Sequence, residues 1–497
     1  MSSPLLLALL AACEPVTEPV VPDEMPAPQD FVINGPGGPK TTLAAGQLAL
    51  PCASLTGGPE DIEHHNLVGI HDGYLLLPWA PEDGGGGLSI FEFNDACAPV
   101  KIGEAYAERM RETHTLGIGE VGGRTYLAVD TFIDNDHGGI GFWDITDPTA
   151  PTWVGDFELP DFHYPDAYFR VSLSTFWQGD RLFVSAGFNG IFTVDVSDPA
   201  NPVLLDQHTE VAFMAGSFHV VGNVALASSA GLARTLVWDI GDLDDWQLVA
   251  DFNVVDVESS PTPYYFAHVA GNYAFFARKD EGGGPIVYDF STPREPVWLG
   301  IADAPDADGG YVMRHHDMLF QGESNYGAWY DFSNPAAPTE LTRITMSGDF
   351  DTLTPIGNMA VASVDSNPDA GKATLVFPWA TDPDTRAPTA ELTDPADGAT
   401  WVPLTGRIGI SFDEQIEPKS AHAGSFRVWR QDGKAVPGRF YGQETIVNFV
   451  PDTPLSESTS YYVDIPAGGI TDVSGNPTDA ARSFAFSTGE TVAEKPW

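Results

Sequence analysis

The strongest constraint on the fold is a phrase that the chain repeats. It reads GGIGFWDITDPTAP at residues 138–151 and NGIFTVDVSDPANP at residues 189–202, and in both copies an apolar run ends on Asp before a proline-rich turn. The position of this Asp recurs at intervals of 42 to 52 residues. It is occupied by Glu92, Asp144, Asp195, Asp239, Asp289, Asp331 and, in a degenerate seventh copy, Pro378. A period of this length with several strands per unit predicts the blades of a β-propeller.

Each repeat divides into four predicted strands. A short strand ends at a glycine turn, as in SFHVVGNVALASS at 217–229, and a second apolar strand follows it. The repeated phrase is the third strand, and a short apolar run such as PTWVGDF at 151–157 is the fourth. Seven such units predict a seven-bladed propeller over residues 46–380. We interpret the repeated Asp as a turn residue that caps local N–H groups, not as a general base.

The repeats resemble the LVIVD repeat family. The segment VDVSDPANP at 194–202 carries that family's pattern most fully, and six of the seven copies share it. The resemblance implies a bacterial, extracytoplasmic propeller. It implies no catalytic residues, because the family has no common established activity.

The chain from 387 to 490 predicts a second all-β domain. Alternating segments at 407–412, 446–450 and 460–465 indicate a β-sandwich. The run DPADGATWVP, the strand IGISF with acidic residues after it, and the terminal FAFSTG resemble the SbsA-type bacterial Ig-like domain. The predicted fold class is therefore all-β, a seven-bladed β-propeller followed by an Ig-like β-sandwich. The family's loop motif falls on Asp472, Gly475 and Asn476, which we interpret as a structural turn.

The N-terminus predicts export and a lipid anchor. Residues 1–13 combine an apolar run with Leu-Ala-Ala-Cys, which resembles the lipobox of bacterial lipoproteins and implies acylation of Cys13. The segment lacks the basic residues that usually precede such a run, so an unprocessed apolar terminus is the alternative. Residues 14–45 are rich in Pro and Glu and predict an extended tether. We therefore expect anchoring to a bacterial membrane, at the outer membrane or the cell surface.

Cysteine content and charge constrain the environment and the partners. Cys52 and Cys97 form an even pair in an exported chain, which predicts a disulfide, and two free buried thiols are the alternative. The chain has 70 acidic and 23 basic residues, a net charge of −47. That charge excludes nucleic acid as a partner, since phosphate binding depends on basic residues. It is consistent with a solvated acidic coat or with calcium binding.

The acidic loops do not complete a known calcium motif. The segment DNDHGG, with Asp134 and Asp136, begins like an EF-hand, but Ile145 occupies the place of the twelfth-position Glu. We therefore expect an exposed turn, with a looser Ca²⁺ site at Asp134 and Asp136 as the alternative. Motifs for nucleotide binding, zinc proteases and serine hydrolases are absent from the sequence.

Histidines recur before the second strand of several blades. First strands line the channel of a propeller, so imidazoles on several of them are candidates for one divalent metal site. The candidates are His65, His114, His219, His268, His315 and His316. We expect them on the same face as the acidic loops between second and third strands. The alternative is that they only pack and form hydrogen bonds near the channel mouth, because their positions do not superimpose between blades.

The sequence predicts a non-catalytic surface lipoprotein that binds or adheres to a protein or polysaccharide at the bacterial envelope. A propeller offers a rigid concave face, and nothing in the sequence indicates a reaction. One rival hypothesis is a metal-dependent oxidoreductase or hydrolase that uses the channel histidines. Another is a structural spacer in a surface assembly.

Overall fold

The computed structural model describes residues 20–24, 32–58, 67–81, 85–134, 137–160, 174–280, 282–365 and 373–497. The predicted signal peptide with Cys13 and the candidate ligands His65 and Asp136 lie outside these residues, as does the side chain of Asp134.

Seven four-stranded antiparallel sheets form the propeller. The first three comprise β2 (Gly69–His71), β3 (Tyr74–Trp79), β4 (Gly86–Glu92) and β5 (Val100–Ala107); β6 (Gly117–Val121), β7 (Arg124–Asp134), β8 (His137–Asp144) and β9 (Thr152–Glu158); and β10 (Ser174–Gln178), β11 (Arg181–Ser185), β12 (Ile191–Asp195) and β13 (Val203–His208). The next three comprise β14 (Ala215–Val221), β15 (Val224–Ser229), β16 (Arg234–Asp239) and β17 (Gln247–Asn253); β18 (Tyr264–Ala270), β19 (Tyr273–Arg278), β20 (Pro285–Asp289) and β21 (Val297–Ile301); and β22 (Val312–His315), β23 (Met318–Gly322), β24 (Gly327–Asp331) and β25 (Thr339–Ile344). The seventh comprises β26 (Asp349–Ile356), β27 (Met359–Asp365), β28 (Thr374–Pro378) and β1 (Ala53–Ser54).

The ring closes with a strand from the start of the chain. Ala53 pairs with Val376 and Ser54 with Leu375, so β1 supplies the outer strand of the last blade. Cys52 precedes this strand and is bonded to Cys97 in the first blade, with 5.1 Å between the two Cα atoms. The structure thus joins the entering chain both to the last blade and to the first.

Burial follows the position of a strand within its blade. The third strand of the third blade is buried over Ile191–Val194, whereas the outer strand Val203–His208 is exposed or half-buried throughout. The repeated Asp caps the exit turn as predicted: Asp195 accepts the N–H of Ser197 at 2.9 Å and Asp331 that of Ser333 at 2.8 Å. The sequence interpretation of this Asp as a turn residue is confirmed.

The C-terminal domain is a two-sheet sandwich. One sheet has the strand order β29 (Ala390–Asp394), β30 (Ile408–Phe412), β33 (Ile446–Pro451), β32 (Gly438–Gln443). The other has the order β31 (Arg427–Arg430), β34 (Ser460–Ile465), β35 (Arg482–Ser487). Two single-turn 3-10 helices lie at Ala45–Gln47 and Pro418–Ser420. The predicted fold class, a seven-bladed propeller followed by an Ig-like sandwich, is confirmed.

The sandwich packs on one face of the propeller. We call this the turn face, because it carries the turns between the first and second strands of the blades. These turns lie at residues 72–73, 122–123, 179–180, 222–223, 271–272, 316–317 and 357–358. The face at the other end of the channel carries the loops between second and third strands, and we call it the loop face. Ile446 of the sandwich belongs to the same buried apolar cluster as Phe218 and Val220 of the fourth blade, so the two domains share a core.

Candidate functional site

The Ig-like domain recognises the backbone of the propeller turns. Oxygens of its side chains accept turn N–H groups at distances of 2.7 to 2.9 Å. The pairs are Gly222 with Asn448, Asn223 with Asp394, Gly271 with Ser411, Asn272 with Glu391, and both Asp72 and Gly73 with Glu417. Buried N–H groups are costly when they lack an acceptor. The sandwich therefore satisfies groups that the blades themselves leave open.

The turn of the β32–β33 hairpin reaches the channel mouth and carries Glu444. One oxygen of its carboxylate, Oε2, lies 3.0 Å from Nδ1 of His268 and 3.4 Å from Nε2 of His219. Burial alone would raise the pKa of Glu444, but the contacts with both imidazoles lower it below its usual range. Burial lowers the pKa of His268. The ionised carboxylate of Glu444 thus accepts a hydrogen bond from the neutral ring of His268, and this contact joins the two domains at the channel mouth.

A second histidine pair meets acidic residues at the sixth blade. His315 ends β22 and His316 begins the following turn, where its φ of +53° places it in the left-handed region. His316 Nδ1 lies 3.0 Å from Oδ2 of Asp413, and its Nε2 lies 3.0 Å from Oε1 of Glu414. His315 Nδ1 lies 3.3 Å from Oε2 of Glu414, and its Nε2 lies 3.8 Å from Oδ2 of Asp384, in the connection between the domains. Burial raises the pKa of Glu414 well above its usual range.

The structure corrects the expectation that the histidines of several blades converge on one metal ion. The described candidates divide into the pair His219–His268, the pair His315–His316, and His114. His114 precedes β6 at the loop face, where its Nε2 lies 3.4 Å from the hydroxyl of Tyr265. The two pairs instead lie at the turn face, because each occurs near the end of a first strand and not at its start. The expectation that these histidines share a face with the acidic loops is therefore wrong for both pairs.

An interdomain cavity lies beside these contacts. It has a volume of about 590 Å³ and is enclosed by the first two blades together with Lys419 and the strand Gly438–Gln443 of the sandwich. It reaches solvent at Glu120 and at the turn 122–123, which are exposed. Partly exposed rings of Tyr74 and Phe440 line it. Its size is within the range of small-ligand pockets.

His71 lines this cavity and ends strand β2. Only 6% of the residue is exposed, yet neither ring nitrogen has a hydrogen-bond partner in the part of the chain that the structure describes. Burial, with the nearby charge of Lys419, lowers the pKa of His71 to about 4 although Asp72 acts in the opposite direction. At neutral pH the ring is therefore uncharged and presents one donor and one acceptor beside the cavity.

The acidic partners of the histidines were missed from the sequence. Asp413, Glu414 and Glu417 follow the strand IGISF, and their acidity is visible there. Nothing local to them indicates that they face imidazoles and turn amides of a domain some hundred residues or more away in the chain. The one available signal was the presence of three acidic residues within the five positions that follow a predicted strand.

Two segments of the chain match family models. Residues 177–209 match the LVIVD repeat, and residues 384–488 match the bacterial Ig-like domain. The chain therefore carries an LVIVD repeat in its third blade and a bacterial Ig-like domain at its C-terminal end, as the resemblances predicted. This combination is typical of a surface or binding protein, and the Ig-like domain indicates an extracellular or surface location. Across the described ranges, no helix has the length and apolarity needed to span a lipid bilayer.

The chain shares a distant likeness with several solved structures. The structure of U3-55K matches with a TM-score of 0.47 at 11% identity, and the match covers 68% of this chain and 99% of the U3-55K chain. A protein from Lactobacillus plantarum has a TM-score of 0.46 at 14% identity, with coverage of 60% and 92%. Sqt1 from Chaetomium thermophilum has a TM-score of 0.42 at 12% identity, with coverage of 61% and 80%. No curated protein sequence matches the chain.

Proposed function

We propose that this LVIVD-repeat propeller with its bacterial Ig-like domain is an exported, lipid-anchored surface protein that binds a polysaccharide at the bacterial envelope. The observation that carries the proposal is the interdomain cavity with His71 on its wall, whose ring nitrogens have no hydrogen-bond partner among the described residues. Lipid attachment at Cys13 and the tether predicted over residues 14–45 belong to the same proposal. The last part of that tether is not extended in solvent, because Asn34 bonds to Asp72 and Leu43 is buried against the propeller.

The chemistry of the cavity suits hydroxyl groups. A neutral imidazole offers one donor and one acceptor, and a sugar hydroxyl both donates and accepts. The aromatic rings of Tyr74 and Phe440 add apolar surface on which a sugar ring can pack. Lys419 and Glu120 supply charged groups at the same cavity, so polar groups surround the apolar surface. A few polar groups on an otherwise mixed wall are what orient a ligand in such sites.

Binding is tested with the labelled full chain on an array of neutral and acidic oligosaccharides, followed by titration of the strongest hit. We expect His71→Phe to weaken that binding at least tenfold, because the ring loses both hydrogen-bonding nitrogens. His137→Phe is the matched control, since His137 is 45% exposed at the loop-face end of β8. Equal affinity of the two variants would overturn the assignment of the cavity.

Two further measurements separate this function from its rivals. Cys13→Ser is expected to move the protein from the membrane fraction to the soluble fraction, and unchanged membrane association would refute the anchor. Capture of a protein but no glycan from an outer-membrane extract would replace polysaccharide binding by protein adhesion. Capture of neither would favour a structural spacer and refute the binding function.

A further inference from the structure

Three separate segments meet at the second histidine pair. His315 and His316 come from the sixth blade, Glu414 follows strand β30 of the sandwich, and Asp384 lies in the connection between the domains. One ligand atom from each of the four residues lies within 4.8 Å of the others. The propeller, the connection and the Ig-like domain therefore each contribute to one cluster.

Unpartnered atoms indicate that this cluster is more than an ion pair. Glu414 is 0% exposed, and among the described residues no donor forms a hydrogen bond of regular geometry with either of its carboxylate oxygens. His316 Nε2 and Asp384 Oδ2 are likewise buried, and no hydrogen-bond partner for them is present in the ranges that the structure describes. Although His316 Nε2 and Glu414 Oε1 are 3.0 Å apart, they do not have hydrogen-bond geometry. A buried carboxylate is costly unless a positive charge compensates it, and either the facing imidazole of His316, when protonated, or a bound cation supplies that charge.

The spacing fits atoms arranged around a common cation. Ligands at about 2.1 Å from a metal ion lie about 3.0 to 3.4 Å apart when they occupy neighbouring positions. Oε1 of Glu414 lies 3.0 Å from Nε2 of His316, and its Oε2 lies 3.3 Å from Nδ1 of His315. His315 faces Asp384 through its other nitrogen, at 3.8 Å, and one ligand atom from each of the four residues lies within 4.8 Å of the others. The opposite nitrogen of His316, Nδ1, lies 3.0 Å from Asp413 in hydrogen-bond geometry. A carboxylate that orients the far side of a ligating imidazole is the usual support of a metal-binding histidine.

We propose that His315, His316, Asp384 and Glu414 bind one divalent transition-metal ion, Zn²⁺ in the first instance, that fixes the Ig-like domain to the sixth blade. Two imidazole nitrogens and two carboxylate oxygens are a ligand set that zinc accepts. Calcium is disfavoured because it takes oxygen ligands. All four side chains are buried or nearly so, which suits a structural site. The site is separate from the cavity at His71, so it stands or falls independently of the proposed binding function.

The proposal is tested by stripping the purified full chain with a chelator and titrating it with Zn²⁺ alone. We expect one equivalent to bind and visible absorption bands of Co²⁺ to appear when Co²⁺ is used instead. Excess Ca²⁺ should not displace either ion. A wild-type chain that binds no Zn²⁺ above the level of a chelator-treated unrelated protein would overturn the proposal without any variant.

Matched variants then locate the ion. Glu414→Gln, or Asp384→Asn if the first variant folds poorly, should lower the affinity for Zn²⁺ at least tenfold. Glu444→Gln is the control, because Glu444 joins the other histidine pair, His219 and His268, which also offers three ligand atoms. The assignment would be refuted if Glu444→Gln lost the bound Zn²⁺ ion while Glu414→Gln and Asp384→Asn retained it. That result would place the ion at the pair His219 and His268.

Discussion

Replacing Glu417 is the sharpest test that the two domains form one body. Glu417 is 1% exposed, and its two carboxylate oxygens accept the N–H groups of Asp72 at 2.8 Å and Gly73 at 2.9 Å. Hydrogen bonds to a charged group contribute about 1.5 to 3 kcal/mol each. Glu417→Ala removes two of them and leaves two turn amides without acceptors, so we expect docking at this turn to weaken by about 3 to 6 kcal/mol.

Hydrogen exchange of the turn peptide measures this loss directly. Since 1.4 kcal/mol corresponds to a factor of ten, the amides of the β2–β3 turn should exchange about 10² to 10⁴ times faster in Glu417→Ala. Burial raises the pKa of Glu417, so the measurement is made at alkaline pH, which favours the ionised carboxylate. Glu417→Gln keeps one acceptor oxygen and should give an intermediate rate.

A surface substitution provides the control for this experiment. Glu457 is an exposed acidic residue of the same domain, and Glu457→Ala should leave the exchange of the turn peptide unchanged. If Glu417→Ala exchanges within threefold of the wild type, the carboxylate does not hold the turn. The picture of a sandwich docked through turn amides would then be wrong at this position.

Three further predictions concern stability. The pKa of His71 is lowered to about 4, so as the pH falls the unfolded chain takes up this proton before the folded chain does, and the free energy of unfolding should fall by about 3 kcal/mol between pH 6.5 and 4. His71→Gln should remove this part of the pH dependence, measured by urea unfolding. An unchanged pH profile in the variant would contradict the prediction. Cys97→Ser removes the disulfide that closes the 45-residue loop to Cys52, and it should lower the free energy of unfolding by about 4 kcal/mol. Equal stability of the wild-type chain under reducing and oxidising conditions would contradict this prediction. A Cβ at Gly409 would overlap the backbone of the fourth-blade turn, so Gly409→Ala should destabilise the docking of the two domains by about 1 to 3 kcal/mol, measured by calorimetry. Gly46→Ala is the control and should leave the stability unchanged, because a Cβ there would meet no atom within 4 Å.

The blades were predictable because the sequence signals for each blade lie close together in the chain. A glycine turn, an apolar strand and an Asp-Pro exit recur within about fifty residues, and hydrogen bonds such as that of Asp195 to Ser197 span only two positions. The outer strand of the last blade was not predictable in this way. Residues 53–54 are too short to show a strand pattern, and their partner lies more than three hundred residues away.

The candidate site was predictable only in part, because its two halves lie in different domains. The sequence identified His219, His268, His315 and His316 as unusual, and all four are buried at the propeller axis or beside it. It placed them on the other face of the propeller and did not identify the carboxylates that they contact. Their actual partners are carboxylates such as Glu444, whose position depends on how a separate domain docks.

The strand IGISF shows how docking could have been inferred from the sequence. Ile408, Ile410 and Phe412 point into the sandwich core, as the alternation predicts. The outward positions, Gly409 and Ser411, would carry charged or large polar residues on a sheet that faced water. They are instead small and fully buried, because the sheet lies directly on the turns of the fourth and fifth blades. Small residues on the outward face of an otherwise amphipathic strand therefore indicate a covered sheet, and here they indicate the face that the propeller covers.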